Sequence, residues 1–278
     1  MLCVSLLPPD IHNLLLFITV GSISAALSTM AKAGFGGGIG LLATPLMVIA
    51  CGDNVPLALG IMLPMLVISD YVILTQWWRK WNTQAAMSLM PGAILGMLAA
   101  WWLMAVLQEQ AAVNPAASST KTLANSIMMI AIGVIAIALV ILQVIRQKHG
   151  ESLPFRPVAW QATSVGTIAG LTSTMAHAAG PIVTMYLLPQ RMDKQRFVAT
   201  TALFYWFGNQ IKLVPYWFLG MLSLQTLGAN LVLAPSVIAG AFLGVYLHHK
   251  LDERQFQWIV YILVTLTGLD LILKPLLR

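Results

Sequence analysis

Apolar residues along this chain gather in long runs rather than in the alternating or one-faced patterns of soluble strands and helices. Ten runs, each bounded by polar or turn residues, fall at about 11–31, 39–51, 56–76, 84–107, 122–145, 158–177, 180–189, 197–219, 227–247 and 255–273. Most reach the roughly 20 residues that a helix needs to cross a bilayer. The second and seventh do not. Each of those two is short and follows a glycine-containing break, the pattern of the return arm of a re-entrant or discontinuous helix.

Composition sharpens this picture. Of 278 residues, 59% are hydrophobic and only 9% are charged, against about 25% charged in an average soluble domain. The mean hydropathy is +0.83. A soluble fold of this size cannot hide so much apolar surface, so a cytosolic enzyme, a disordered chain and a nucleic-acid-binding protein are all excluded. The pattern predicts an all-α polytopic membrane protein. Its first apolar run lacks the basic region of a secretory signal and is expected to stay in the mature chain.

The net charge of +6 then reads as loop charge that sets orientation. With sides alternating, Arg79, Lys80, Arg146, Lys148, Arg156, Arg191, Lys194, Arg196, Lys250 and Arg254 fall on one side. Only Lys121, Lys274 and Arg278 fall on the other. The positive-inside rule makes the first side cytoplasmic and puts both termini outside. Trp77, Trp78, Trp81, Trp101, Trp102, Trp217 and Trp258 sit near predicted segment ends, as an interfacial aromatic belt does. Cys3 and Cys51 are too few and too scattered for a disulfide or metal framework.

The chain is also duplicated. With Gly21 set on Gly166, Ser28-Thr29-Met30-Ala31-Lys32-Ala33 falls on Ser173-Thr174-Met175-Ala176-His177-Ala178, and seven of the thirteen positions 21–33 are identical. Pro91, Ile94, Gly96, Leu103 and Leu107 match Pro235, Ile238, Gly240, Leu247 and Leu251 in the same way. Two repeats are expected, 11–145 and 158–273, joined by a cytoplasmic linker at 146–157. Each holds five segments, an odd number, so the second enters the membrane from the opposite face. That is the inverted-topology architecture of many secondary transporters, in which broken helices meet near the midplane around the substrate.

The duplicated breaks are therefore the candidate site. They are Lys32-Ala33-Gly34-Phe35-Gly36-Gly37-Gly38 and His177-Ala178-Ala179-Gly180-Pro181. Glycine permits an unwound backbone, and amides opening the next helical arm direct partial positive charge at whatever precedes them. A compact anion suits such a place, held by amides near Gly36, Gly37, Gly38 and Gly180 with Lys32 and His177 in equivalent positions. Thr44, Pro45 and Thr184 lie in the short arms and are placed to shape the same cavity. Asn209 and Lys212, one turn apart, and Asp70 in the corresponding place of the first repeat complete the set.

Plainer readings stand beside these. Gly92, Gly96, Gly240 and Gly244 suit close helix packing. Lys32 and Lys212 near segment ends suit snorkelling. Asp70 is either the structural partner of a cation or a proton or cation coupling site, with His177 the other group able to carry a proton. Asp270 reads as a solvated boundary residue. Gly-rich faces serve intramolecular packing as readily as a homodimer interface. There are no paired carboxylates, metal-ligand spacing, nucleophile triad or P-loop, so neither catalysis nor a cofactor is expected.

The breaks and their neighbours resemble the sulfite exporter TauE/SafE family of bacterial permeases. Three stretches carry the resemblance: Ala31 to Gly38 through Pro45, His177 to Pro181 through Tyr186-Leu187-Leu188, and Asn209 to Tyr216. It implies carriage of a small sulfur-containing anion, such as sulfite, thiosulfate or an organosulfonate, across the bacterial inner membrane. Alternating access is the expected mechanism, with a coupled proton or sodium ion if the direction is inward. The alternatives are an anion channel and a carrier of a small organic carboxylate.

Overall fold

In lipid every backbone amide and carbonyl must find a partner within the protein, and an unbroken helix supplies one for each. The computed structural model obeys that constraint. It describes residues 7–9, 11, 13–34, 39–113, 118–149, 158–190, 192–248 and 253–277, and among these it is helical apart from turns and caps. The order is α1 (Leu14–Gly34), a short 3-10 turn (Ile39–Leu42), α2 (Ala43–Ala50), α3 (Val55–Gln76), α4 (Thr83–Val113) and α5 (Ser118–His149). Then follow α6 (Ala159–Ala176), α7 (Gly180–Leu187), a 3-10 turn (Leu188–Gln190), α8 (Lys194–Phe218), α9 (Leu224–His248) and α10 (Glu253–Leu277).

Each of the ten apolar runs corresponds to one of these helices, and α2 and α7 are short, eight residues apiece. Local chemistry explains the boundaries. Asn54 caps α3 by accepting from the Leu57 amide at 3.1 Å, with Pro56 in the first turn. Asp193 does the same for α8 at the Arg196 amide. His177 ends α6 in the left-handed region, φ 49°, and Pro181 opens α7, where its missing N–H costs nothing. Five helices among the described residues are long and apolar enough to cross a membrane: α1, α3, α4, α5 and α10. Helices α6 and α8 are not among them; both carry polar side chains that, as shown below, face the interior rather than lipid.

Helix α3 is the most enclosed, with buried residues along most of its length. It packs on α8 and α9, while α4 lies along α6, α1 along α9, and α5 along α10. Two of these seams are built from small residues. A Cβ on Gly92 or Gly96 would overlap the Thr163 or Thr167 carbonyl of α6, and one on Gly166 or Gly170 would overlap the Leu89 or Ala93 carbonyl of α4. A Cβ on Gly240 would strike the Ala26 backbone of α1. Gly92, Gly96 and Gly240 thus serve close packing inside one chain. Large apolar side chains such as Trp102, Leu231, Phe242 and Leu266 face outward, as lipid-facing positions do. Trp78 and Trp217 near helix ends are also exposed, whereas Trp77 and Trp81 pack against the core.

Candidate functional site

Halfway along α3 and α8 the packing opens into a small cavity of about 50 Å³ that is partly open at its mouth. The ends of both broken helices face it. Lys32, in the last turn of α1, and Gly40, in the following turn, lie on one side; His177, Ala179 and Gly180, between α6 and α7, lie on the other. Asn209 and Lys212 of α8 line it as well.

Two clusters meet there. In the first, Lys32 donates to the Asp70 Oδ1 carboxylate oxygen at 2.5 Å and to the Leu66 carbonyl at 3.4 Å. Asn209 donates to the other oxygen of Asp70 at 2.5 Å. The Lys32 ammonium also stands 5.6 Å from the centre of the Tyr205 ring. The side chain of Asp70 is fully buried and that of Lys32 is 14% exposed, so this pair is held away from solvent. In the second cluster, Lys212 donates to the Ser173 carbonyl at 3.2 Å and to the Ser173 hydroxyl at 3.0 Å, and lies 3.2 Å from His177 Nδ1. His177 Nε2 faces the Leu59 carbonyl of α3 at 3.3 Å. Tyr216 donates to the Thr174 carbonyl at 2.6 Å, and Thr44 of α2 donates to that of Ala176.

The second cluster follows from helix physics. The last carbonyls of α6 run short of amides ahead of them, the His177 amide reaching only as far as the Ser173 carbonyl at 3.0 Å, and they carry the negative end of the helix dipole. Lys212, Tyr216 and Thr44 satisfy three of those carbonyls, while the turn at His177 places the N-terminus of α7 on the cavity. The first amides of α7 have no preceding turn to accept from them. One break therefore sets a cation at the C-terminus of α6 beside the backbone donors at the N-terminus of α7.

Several expectations are revised by this geometry. Lys212 does not snorkel; its side chain is wholly buried. Lys32 does not snorkel either, because Asp70 holds it inward. Asp70 is a cation's partner. Asp270, expected as a solvated boundary residue, has a side chain 41% exposed and pairs with Lys274 at 2.8 Å, which also reaches Asp53 at 3.3 Å. Gly36, Gly37 and Gly38 lie outside the described residues. Ser173, Tyr205 and the Leu59 carbonyl were not anticipated. Ser173 did carry a signal, since it and Ser28 are duplicated and both line the cavity. Tyr205 carried none.

A cavity lined in part by two lysines and by the N-terminus of a broken helix, inside an apolar helical bundle, defines a membrane protein with a polar, anion-compatible centre. A family model described as "Sulfite exporter TauE/SafE" matches residues 17–271. The chain belongs to the sulfite exporter TauE/SafE family, a membrane transporter family whose membership implies movement of a sulfur-containing anion. No curated protein and no solved structure matches the chain.

Proposed function

We propose that the chain is a secondary transporter that moves a small sulfur-containing anion across the bacterial inner membrane by alternating access. The observation that carries this reading is the meeting, at one cavity between two helix breaks, of the buried Lys212 of α8 and the half-buried Lys32 of α1, the latter paired with the buried carboxylate of Asp70. Lys32, Lys212, Asn209, His177 and the amides at Gly180 and in the Gly36–Gly38 stretch are its binding groups. Asp70 and His177 are the groups able to carry a coupled proton. Outward movement of an anion needs no coupling, since an inside-negative potential favours it by about 2.3 kcal/mol per charge per 100 mV.

The two repeats, 11–145 and 158–273, are related by inversion in this reading, and the pattern of helix neighbours supports it. Exchanging α1–α5 with α6–α10 turns the α1–α9 seam into the α6–α4 seam, both of which occur. The α3–α8 and α5–α10 seams map onto themselves. In the latter, a Cβ on either Gly133 or Gly268 would meet the other's carbonyl. The proposed sidedness is supported by Lys80, which donates to Gln195 at 2.7 Å and so gathers basic loop residues at one end. Asp53, Asn125 and Lys274 meet at another place, with few basic residues nearby in sequence.

The deciding experiment measures binding to purified protein across sulfite, thiosulfate, sulfoacetate, taurine, sulfate, acetate and lactate. Selective binding of a sulfur oxyanion, weakened in Lys32→Gln and Lys212→Gln, is expected. A preference for acetate or lactate would overturn the substrate, and binding indifferent to both lysines would overturn the site. Ion currents from reconstituted protein with no saturating turnover would make it a channel instead.

A further inference from the structure

The charges at the cavity can be counted. Asp70 accepts at both oxygens, from Lys32 on one and Asn209 on the other, the bonding pattern of a carboxylate. It cancels Lys32. In the second cluster the donors and acceptors fit one positive charge shared by Lys212 and His177. Lys212 Nζ faces His177 Nδ1, and His177 Nε2 faces the Leu59 carbonyl, the arrangement of an ammonium donating to a neutral imidazole whose other nitrogen donates onward. A second positive charge would set a donor against a donor. Tyr205 is the remaining ionisable side chain among the described lining residues and is neutral beside a cation. Phe35, Gly36, Gly37 and Gly38 add no ionisable side chain by sequence.

The count gives two ammonium groups, one carboxylate and a net charge of +1. We propose that the cavity is matched to a single negative charge and takes monovalent oxyanions, such as a sulfonate or the singly protonated form of sulfite, in preference to dianions of the same size, and that Asp70 sets this valence by cancelling Lys32. The physical reason is desolvation. Uncompensated charge is costly in a water-poor cavity whatever its sign; one anionic charge removes the resident excess, whereas two replace an excess of +1 by one of −1. Asp70 acts here through Lys32 and is a specificity-determining, positioning residue.

This inference rests on the reading of the cavity as an anion site, and its test separates the two. Methanesulfonate and sulfate are near-isosteric and differ by one charge. Their binding to the purified full chain is measured by competition or calorimetry, alongside sulfite in mildly alkaline buffer, where it is a dianion, and in mildly acidic buffer, where it is not. Wild-type protein is expected to prefer methanesulfonate over sulfate by roughly tenfold or more. Asp70→Asn, with a count of +2, is expected to reverse that order, and the double variant Lys32→Gln with Asp70→Asn, again at +1, to restore it.

Restoration in the double variant is the readout that a merely structural role for Asp70 would not produce. A wild-type preference for sulfate, or the same order in Asp70→Asn as in wild type, would overturn the proposal while leaving an anion site standing. Failure of every anion to bind wild-type protein would overturn the anion site itself, and this proposal with it. If Asp70→Asn does not fold, the isosteric pair on wild-type protein still decides.

Discussion

Lys32 and Asp70 show how a lipid environment changes the worth of one residue. On a soluble surface such a pair contributes about 1 kcal/mol or less. Here Asp70 is fully buried, and removing its cation leaves a carboxylate with only Asn209 to answer it. Breaking a buried pair in this way costs about 3–5 kcal/mol, most of it the penalty of the stranded charge. Lys32→Gln is therefore expected to lower the melting temperature of purified protein sharply, and adding Asp70→Asn to recover most of the loss. Equal melting temperatures for wild type and Lys32→Gln would show that the pair bears no such load. Both residues were visible in the sequence as charges inside apolar runs, but their pairing was not. They lie 38 positions apart on different helices, and only the packing of α1 against α3 brings them together. The burial of Lys212 was hidden for a related reason: its place near a segment end suggested snorkelling, and nothing in the sequence shows that Ser173 and His177 wait for it across the cavity.

At the scale of elements, apolar runs of the right length and their glycine or proline boundaries reveal the helices, because a spanning segment has so few ways to satisfy its backbone. Even the two eight-residue arms were legible from their shortness and the breaks before them. What periodicity did not reveal was which helices would touch. The small residues Gly92, Gly96 and Gly240, suited by sequence to close packing, do lie in the seams, though their partners are not legible from spacing. Gly92 and Gly96 face the α6 backbone as Gly166 and Gly170 face that of α4, the close approach that membrane helices use when water offers no driving force between them. Gly96→Ala would press a methyl onto the Thr167 carbonyl, a neighbour that cannot rotate away, and overpacking of this kind costs about 1–3 kcal/mol. Gly52 provides the control. It sits in a turn at φ +65° with open space around its Cβ position, so Gly52→Ala adds conformational strain alone, about 1 kcal/mol. Thermal unfolding in detergent should rank Gly96→Ala as the more damaging. The opposite ranking would mean that the α4–α6 seam yields more easily than its backbone contacts imply.

At the scale of the whole molecule, orientation can be tested together with the crossing of α8 on which opposed repeats depend. The first turn of α8 carries Gln195, joined to Lys80, and α9 begins at Leu224, which is 85% exposed. On the proposed orientation, five segments per repeat with the basic loops inside, Gln195 is expected in the cytoplasm and Leu224 outside. Single cysteines at these two positions, in a chain with Cys3 and Cys51 replaced by serine, separate the alternatives in intact cells. A membrane-impermeant maleimide should label Leu224→Cys at once and Gln195→Cys only after the membrane is permeabilised. The reverse pattern would invert the protein and turn the potential from a force for anion export into one for anion entry. Labelling of both from outside would mean that α8 does not cross, and would remove the opposed repeats on which alternating access depends. The expected pattern would leave Lys32 and Lys212 lining a cavity in a bundle whose α8 crosses the membrane, as opposed repeats around a carrier's site require.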